Sequence, residues 1–368
     1  MLPRYSPIPD SDVEKQPLVD QPYSTCHCQQ VHEQQRRRGP SKSNILILSL
    51  LILLALGYGH QYRNSHDTID LSNVAISSEP QEIQDSLTQY CHETSAFVPW
   101  DGKTVYDLET GVTGLAVEQK FLGNHVSPLA GNVVVVENKA LETPRVTFDI
   151  KLEDDEYQDS VWIDEVIVGS TLSLTVKHTE RVVRTCVRVD VKVEVPSASA
   201  LDDLSLQFPN NDITLATRLQ VKNALDLSAA RGDLTAQAPT TSSKISLSTA
   251  SGNINGVFDV DQVEFSASAA SGNLALAFDH ISATSTIKAS SASGNVGVQV
   301  PSDFQSQLDL NVVVGNVKVK ATETEKLHIR RTGGIVGHTV RGYYGTDADA
   351  PSHIKLNSVS GNVNLTFQ

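Results

Sequence analysis

Aromatic side chains are scarce in this chain of 368 residues, at 5% of the total, and only two of them are tryptophan. Hydrophobic residues still make up 39%, an ordinary share for a folded protein, so a core must be filled mainly by valine, leucine, isoleucine and alanine. Such a core suits stacked β-coils, which need few large rings. Helical spacing of apolar residues is also lacking in the C-terminal half, which argues against a helical fold there.

Positive charge is the second scarcity, since 29 Lys and Arg stand against 43 Asp and Glu, a net charge of −14. Residues 1–43 are nearly balanced, with six basic and five acidic residues, so the deficit lies in the remainder, with 23 and 38. An acidic exterior excludes nucleic acid as the expected partner and argues against electrostatic docking on anionic lipid.

Catalytic and metal-binding patterns are lacking as well. The acidic run Glu153-Asp-Asp-Glu156 has neither the alternating ligand spacing nor the glycine of a calcium loop, and it is typical of a solvated turn. Histidines 280, 328, 338 and 353 are scattered without metal spacing. The sequence therefore predicts no enzyme activity, no cofactor and no metal site.

Cysteine is limited to four residues. Cys26 and Cys28 lie near the N-terminus, where no second Cys/His pair completes a zinc site. Cys91 and Cys186 are candidates for a disulfide in an oxidising compartment, and the sequence leaves their pairing open.

What the chain has instead is one short phrase that returns at a nearly constant interval. It reads Ala-Arg-Gly-Asp-Leu at 230–234, Ala-Ser-Gly-Asn-Ile at 250–254, Ala-Ser-Gly-Asn-Leu at 270–274, Ala-Ser-Gly-Asn-Val at 292–296, Val-Gly-Asn-Val at 314–317 and Val-Ser-Gly-Asn-Val at 359–363. The apolar residue that follows the Gly-Asn (or Gly-Asp) pair recurs from Leu234 to Val317 at steps of 20, 20, 22 and 21 residues. This periodicity is the mark of a repeat architecture.

Between these phrases the sequence alternates apolar and polar residues, as in Lys244-Ile-Ser-Leu-Ser-Thr249. Each unit is therefore predicted to be a strand, a tight Gly-Asn turn, a second strand and a looser turn. Such units must stack to bury their apolar faces, and an Asn ladder could hydrogen-bond along the stack. We predict an all-β fold, a β-solenoid or coiled β-sheet of ~20-residue units, with eight turns from Ile213 to Val363, one of them at Gly333-Gly-Ile335.

These Ser-Gly-Asn repeats, with Val-Glu-Val-Pro-Ser at 193–197 and Val-Gln-Val-Pro-Ser at 298–302, resemble adhesin-like β-solenoid domains of unassigned function. The likeness covers about residues 182–368. The layout of the chain also resembles that of fungal single-pass membrane proteins that carry such a domain. The resemblance implies a solenoid fold and an adhesin-like role, and it implies no activity.

Residues 1–43 are rich in proline, glutamine and charge, and we interpret them as a disordered cytosolic tail. Two short patterns there are typical of sorting signals. One is tyrosine-based and runs from Tyr5 to Ile8, and the other is an incomplete acidic dileucine signal with Glu14 and Leu18.

Residues 44–59 contain no charge and are predicted to form a transmembrane signal anchor. Four basic residues precede the segment closely, which places the N-terminus in the cytosol and the C-terminal bulk in a lumen or outside the cell. A cleaved signal peptide is the alternative, but 43 residues are too long for its basic leader region. Residues 60–95 are polar and are predicted to be a stalk.

Residues 96–200 alternate without the Gly-Asn period and are predicted to be an irregular N-terminal β region of the same sheet, before the repeat region at 201–368. Its longest strand has Val187, Val189, Val191, Val193 and Val195 on one face. The other face carries charges of alternating sign, which predicts a strand with one solvated side.

Two surface features are candidate contact or modification sites. Tyr343 and Tyr344, in a predicted loop at 341–350, either contact a ligand such as a sugar or close the end of the solenoid. Asn364 begins the only Asn-x-Ser/Thr sequon and would carry a glycan if the domain lies in a lumen. Arg231-Gly-Asp233 spells an integrin-type tripeptide, but it falls where the repeat needs its turn.

The sequence thus predicts a non-enzymatic, membrane-anchored adhesin-like or scaffold protein, whose partners are the membrane and surface glycans or proteins. One alternative is a β-helical carbohydrate-active enzyme of the secretory pathway. Another is a vacuolar or sorting component that acts through its cytosolic tail.

Overall fold

The computed structural model describes residues 97–121, 127–128, 130–178, 186–198, 200–260, 264–334 and 337–368. They all belong to one compact unit, Pro80–Gln368. The predicted tail, anchor and stalk lie outside the described residues. Within the described ranges, no helix has the length and apolar character needed to cross a membrane.

The described residues form an all-β fold, as predicted, with 26 strands and two short 3-10 helices among them. The strands are β1 (Val98–Pro99), β2 (Val105–Asp107), β3 (Gly114–Phe121), β4 (Ser127–Pro128), β5 (Gly131–Glu137), β6 (Arg145–Leu152), β7 (Val161–Val168), β8 (Thr171–His178), β9 (Cys186–Val195), β10 (Asp203–Phe208), β11 (Asn211–Leu215), β12 (Leu219–Gln220), β13 (Ala224–Arg231), β14 (Leu234–Thr241), β15 (Lys244–Ser251), β16 (Ile254–Val260), β17 (Glu264–Ser271), β18 (Leu274–Ile281), β19 (Thr286–Ser293), β20 (Val296–Val300), β21 (Ser306–Val314), β22 (Val317–Ala321), β23 (Leu327–Gly333), β24 (His338–Tyr344), β25 (His353–Ser360) and β26 (Val363–Phe367). The helices are Asp155–Ser160 and Thr324–Lys326.

Two sheets, A and B, form the stack. Sheet A has 14 strands in the main order β1-β6-β9-β5-β11-β14-β16-β18-β20-β26-β22, and sheet B has 12 in the order β23-β24-β21-β25-β19-β17-β15-β13-β10-β3-β8-β7. Each coil gives one strand to sheet B and the next to sheet A. The described residues form nine such coils, in stack order β8–β9, β3–β5, β10–β11, β13–β14, β15–β16, β17–β18, β19–β20, β25–β26 and β21–β22.

The stack order departs from the chain order at both ends. The last coil of the chain, β25–β26, lies between β19–β20 and β21–β22 rather than at the end. Strands β23 and β24 pair antiparallel beyond β21, so the predicted turn at Gly333-Gly-Ile335 is wrong: Gly333 ends a hairpin strand. Near the other end, β8–β9 lies outside β3–β5, so the region predicted as irregular contributes two parallel coils.

The Gly-Asn turns are held by contact between coils. Gly272 has φ +152°, and a Cβ placed on it would overlap the carbonyl oxygen of Gly252 in the neighbouring coil. Turns of successive coils therefore approach too closely for any side chain at this position. The predicted Asn ladder is confirmed: each backbone N–H donates to the preceding rung's side-chain oxygen at 2.7–3.0 Å, from Asp233 to Asp212, Asn253 to Asp233, Asn273 to Asn253, Asn295 to Asn273, Asn362 to Asn295 and Asn316 to Asn362.

The core lies between the two sheets and is filled by the inward residues of every coil. The five alternating valines of β9 are each at most 3% exposed, which confirms the prediction for that strand. The core is mainly aliphatic, as predicted, but the middle coils also contain a cluster of three rings, Phe258, Phe265 and Phe278. Their edge-to-face and tilted contacts have centroid distances of 5.0–6.1 Å. Burial of these alternating apolar faces is what holds the coils together.

Candidate functional site

The outer face of sheet B differs between its middle and its C-terminal end. In the middle, outward positions are mainly serine, as at Ser228, Ser246, Ser248, Ser266 and Ser268. At the end, five neighbouring strands (β19, β25, β21, β24 and β23) align three rows of larger side chains. The rows are Thr286, His353, Gln307, Tyr343 and His328; Lys288, Lys355, Asp309, Arg341 and Arg330; and Ser290, Asn357, Asn311, Thr339 and Thr332. We call these fifteen residues the C-terminal platform.

The first row ends in a pair of stacked rings. Tyr343 and His328 are cross-strand partners, and their ring centroids lie 4.5 Å apart with an interplanar angle of 26°. Tyr343 is half-buried and His328 is exposed, so the pair presents a fixed ring surface at the edge of the platform. Two χ angles and a stacked neighbour leave Tyr343 little freedom to lose when a ligand binds.

The second row carries the charge. Lys288 donates to Glu264 at 2.8 Å, and Arg341 donates to Asp309 at 3.2 Å. The hydrogen bond from Lys288 lowers the pKa of the Glu264 carboxyl below its usual range, and the lysine's charge adds to the effect. Lys355 and Arg330 have no ion pair with any residue that the structure describes. The row therefore has excess positive charge in a protein that is acidic as a whole.

The third row is a network of amides and hydroxyls that orders the face. Asn311 donates to Asp309 at 3.0 Å and to Asn357 at 3.2 Å, and it accepts from Thr339 at 2.9 Å. Strands β21, β25 and β24 are thus tied together by side chains as well as by the backbone ladder. These bonds fix the side chains beside the charged row before any ligand arrives.

Between the first two rows lies a shallow open depression of about 530 Å³. Its rim includes three cations and one carboxylate, and its floor is formed at inward positions of the strands. The cations are Lys288, Lys355 and Arg341, the carboxylate is Asp309, and the floor positions are Leu308, Gly342 and Ile354. Gly342 lets β24 approach β23 closely, because a Cβ there would overlap the carbonyl oxygen of His328. Shape and charge suit a flat anionic ligand that lies across the strands.

The fifteen residues of the platform include a single carboxylate, Asp309. Glycoside hydrolysis needs two carboxylates on opposite sides of the bond, one of them protonated. Here Asp309 is paired with Arg341, and Glu264, outside the depression, is held ionised by Lys288. No group of three or more His, Cys, Asp or Glu in the described ranges could hold a metal ion.

The two tyrosines predicted in a loop lie in strand β24 instead, and they differ in exposure. Tyr343 faces out on the platform. Tyr344 is 0% exposed, stacks on Phe367 at 3.8 Å and donates to the carbonyl oxygen of Ser302 at 3.0 Å. Burial raises the pKa of the Tyr344 phenol, with Glu323 adding to the shift. Of the pair, only Tyr343 has a position from which it could touch a ligand.

The other predicted sites have separate locations. Asn364 is exposed on the outer face of sheet A, between Gly297 and Lys318, so the sequon remains a prediction with an accessible acceptor. Cys186 is disulfide-bonded, but Cys91 lies outside the described residues, and their pairing also stays a prediction. The tail residues predicted in sorting signals, Tyr5, Ile8, Glu14 and Leu18, lie outside the described residues too.

Sequence reasoning missed most of the platform. Lys288 and Lys355 hold the same position in their coils, as the segments Thr-Ile-Lys at 286–288 and His-Ile-Lys at 353–355 show. That signal was available, but it becomes informative only when the two coils are known to be neighbours. Asp233 of the Arg-Gly-Asp tripeptide accepts from Asn253 in the ladder at 2.7 Å, as the turn interpretation requires.

Comparison with known proteins finds one family model that matches part of the repeat region. Residues 241–366 match the family model described as Toastrack DUF4097, a range that contains the whole platform. This supports the resemblance to adhesin-like solenoid domains as far as the domain is concerned, whereas the fungal single-pass layout stays a prediction. No curated protein gives a significant match to the chain.

Three solved structures are similar at low identity. A candidate cell adhesion protein from Clostridium sporogenes is 10% identical over 72% of this chain and 98% of that one, with a TM-score of 0.28. A candidate adhesin from Bacteroides fragilis is 13% identical over 73% and 98%, at 0.35. A candidate lipid-binding protein from Parabacteroides distasonis is 13% identical over 71% and 95%, at 0.34. TM-scores this low support no inference about function.

Proposed function

We propose that the chain is a non-enzymatic, adhesin-like binding protein whose contact surface is the C-terminal platform and whose ligand is an acidic glycan. The observation that carries this proposal is the alignment of a stacked ring pair, a row with excess cations and a row of amides on one rigid face. Sugars bind proteins through ring stacking and through hydrogen bonds from fixed polar groups. A carboxylated or sulfated sugar also supplies an anionic partner for Lys355 and Arg330, which have no ion pair within the described residues.

The rigidity of the platform supports binding rather than catalysis. Its side chains project from strands rather than loops, and the network around Asn311 links three of those strands. A surface of this kind loses little conformational entropy on binding, which favours recognition of an extended ligand. Catalysis would need a proton donor and a carboxylate placed on either side of a bond, and the platform offers no such pair.

The second part of the proposal concerns location. Residues 44–59 anchor the protein in a membrane with the N-terminus in the cytosol, and the β-solenoid lies in a lumen or outside the cell. The support comes from the uncharged segment and the basic residues before it. Protease added to sealed vesicles should then remove only about the first 43 residues, and cleavage of the solenoid would reverse the topology.

Binding is tested with the purified full-length chain on an array that pairs acidic glycans with their neutral counterparts. Wild-type protein should retain acidic glycans preferentially, and Tyr343→Ala and Lys355→Ala should each weaken binding by about tenfold, the equivalent of roughly 1.4 kcal/mol. The matched control is Asn255→Ala, an outward residue on sheet A. Release of sugar products would establish the alternative, a carbohydrate-active enzyme. Equal binding by all variants would show that the platform is not the binding surface.

A further inference from the structure

Sheet B ends in an unpaired strand edge at each end of the stack, within the part of the chain that the structure describes. At one end β7 pairs only with β8, and at the other β23 pairs only with β24. An unpaired edge offers a row of backbone N–H and C=O groups to another strand, and proteins normally blunt such edges. The two edges of this sheet differ in the sign of the charge around them.

The β7 end is acidic and partly apolar. Seven acidic residues and no Lys or Arg occur between Glu153 and Glu165: Glu153, Asp154, Asp155, Glu156, Asp159, Asp164 and Glu165. Two of the seven form ion pairs, Asp164 with Lys177 and Glu165 with Lys103, which still leaves an excess of negative charge at this end. The edge strand then continues into Val166, Ile167 and Val168, which are 51%, 46% and 68% exposed. Three consecutive exposed apolar residues on an edge strand are the opposite of blunting, and they favour an interface.

The β23 end is basic. Residues 318–341 hold six Lys and Arg against two Glu, namely Lys318, Lys320, Lys326, Arg330, Arg331 and Arg341 against Glu323 and Glu325. Arg330 and Arg331 lie in the edge strand itself, beside Leu327 and Ile329, which pack against the core. The two ends of one molecule therefore have complementary charge.

Each edge also has one charge on its inner face. Glu165 lies opposite the buried Leu174, and Arg331 lies opposite the buried Val340, so both side chains are on the core side of sheet B. Lys103 donates to Glu165 at 2.7 Å from one side of the edge. Inward charges of one sign disfavour pairing of an edge with its own copy in any register that brings the like charges face to face. They do not prevent pairing of β7 with β23.

We propose that a second copy of this chain docks at the end of the stack, with β23 of one molecule pairing antiparallel to β7 of the next. Strand β23 is parallel to the coil strands of sheet B, whereas β7 is antiparallel to them. When two molecules are placed end to end in the same orientation, β23 of one therefore lies antiparallel to β7 of the next. If Glu165 faces Arg331, the same register sets Ile167 opposite Ile329 on the inner face. The contact is head-to-tail, so it extends into a row of molecules rather than closing as a dimer.

Cross-linking of mixed copies tests the pairing directly. Full-length Ile167→Cys and Ile329→Cys carry different affinity tags and are mixed before a short bis-maleimide is added. We expect the mixture to give at least about tenfold more cross-linked pair than either variant alone or the parent chain, since like edges repel. Equal yields in all samples, or no product in the mixture, would overturn the proposal.

Charge reversal gives an independent test that does not need new cysteines. Glu165→Lys and Arg331→Glu, each made alone, should lower the sedimentation-detected association of the full-length chain by about tenfold or more. The chain with both substitutions should associate more strongly than either single variant, because the charges across the contact are exchanged and remain complementary. Recovery should be incomplete, because Lys103 has lost its partner Glu165. Unchanged thermal unfolding midpoints show that the variants are folded. Failure of the double variant to associate more strongly than the single variants would contradict the pairing.

Discussion

The middle coils and the C-terminal end of the same stack obey one repeat but use it differently. From β13 to β18 the chain order and the stack order agree, and the outer face of sheet B is mostly serine. At the C-terminal end the last coil enters between two earlier ones, and a hairpin extends the sheet. The stacked pair Tyr343 and His328, the cations Lys355 and Arg330 and the basic edge strand β23 all lie at that end.

This difference shows that the Gly-Asn ladder is a scaffold and that its interruption creates the candidate site. In the regular coils each outward residue has neighbours about 20 residues away in sequence, with nearly the same composition. The displaced coil and hairpin instead bring together strands from residues 286 to 357, each with different outward residues. A rigid repeat gains a specific surface where the repetition breaks.

The sharpest test of the comparison is to remove the displaced coil. A chain that ends at Ser352 loses Ile354, Leu356, Val363, Leu365 and Phe367, all buried. At about 1.5–3 kcal/mol each, their loss removes on the order of 10 kcal/mol from the C-terminal end. We expect amide hydrogen exchange over 313–321 to lose its protection, whereas in a sequential stack those residues would stay protected.

Its control removes the hairpin instead. Lys326 and Gly345 are joined by a backbone hydrogen bond of 3.0 Å, so deletion of residues 327–344 leaves ends that can be connected. This variant loses the core residues Val340 and Tyr344 but keeps the rung between Asn316 and Asn362. Protection over 313–321 should therefore persist, and its loss would show that the hairpin, not the displaced coil, holds this end.

The two adjacent tyrosines separate stability from binding within the C-terminal end. Tyr344→Ala should lower the free energy of unfolding by about 3–5 kcal/mol, because it empties a core position beneath Phe367. Tyr343→Ala should change it by less than about 1 kcal/mol, because the ring is half-buried on the outer face. Urea unfolding of both variants measures this, and similar losses would contradict the assigned exposure.

The turns of the middle coils should be sensitive to a single methyl group. Gly272→Ala combines an unfavourable φ of +152° with overlap of the Gly252 carbonyl oxygen, and we expect a loss of about 3 kcal/mol. Gly111→Ala is the matched control, since Gly111 has φ +94° with open space around it, and should lose about 1 kcal/mol. Equal losses in urea unfolding would mean that coil contact contributes nothing.

The smallest expected effect concerns pH and the charged row. Since Lys288 lowers the pKa of Glu264 in the folded protein, the pair stabilises the fold above the carboxyl's unfolded pKa. That contribution is lost as pH falls through the lowered pKa. Glu264→Gln should therefore melt slightly below wild type at neutral pH and equal to it in acid. A difference that persists in strong acid would point to packing rather than charge.

Several elements were predictable because they depend on local pattern alone. The alternating valines of β9 and the period from Leu234 to Val317 identified strands, turns and the ladder correctly. The coils β3–β5 and β8–β9 were harder to predict, because their sequences lack the regular Gly-Asn period. The phrase Ala-Gly-Asn-Val at 130–133 was the only trace of the repeat there, and Gly131-Asn132 indeed begins β5.

The candidate site was predictable only in part. Tyr343 was singled out for its ring, but Arg330 and His328 carry no pattern that separates them from ordinary surface residues. The segment that Lys355 shares with Lys288 becomes informative only when their coils are known to be neighbours. The pairing of Tyr344 with Phe367 depends on a contact between residues in two different strands, which neither segment reveals by itself. The loop predicted at 341–350 begins only after Tyr344, because β24 completes the hairpin with β23.

The sequence by itself determined the class of fold, the spacing of the turns and the residues that face the core, because alternation and glycine act within a few residues of the chain. The tertiary structure decided which coil lies beside which. Most coils of the repeat region present nearly the same Gly-Asn turn and apolar face, so local pattern cannot rank which of them are neighbours. The C-terminal platform and the β23 edge exist because one order was selected, through packing of the last coil and the hairpin around Tyr344 and Phe367.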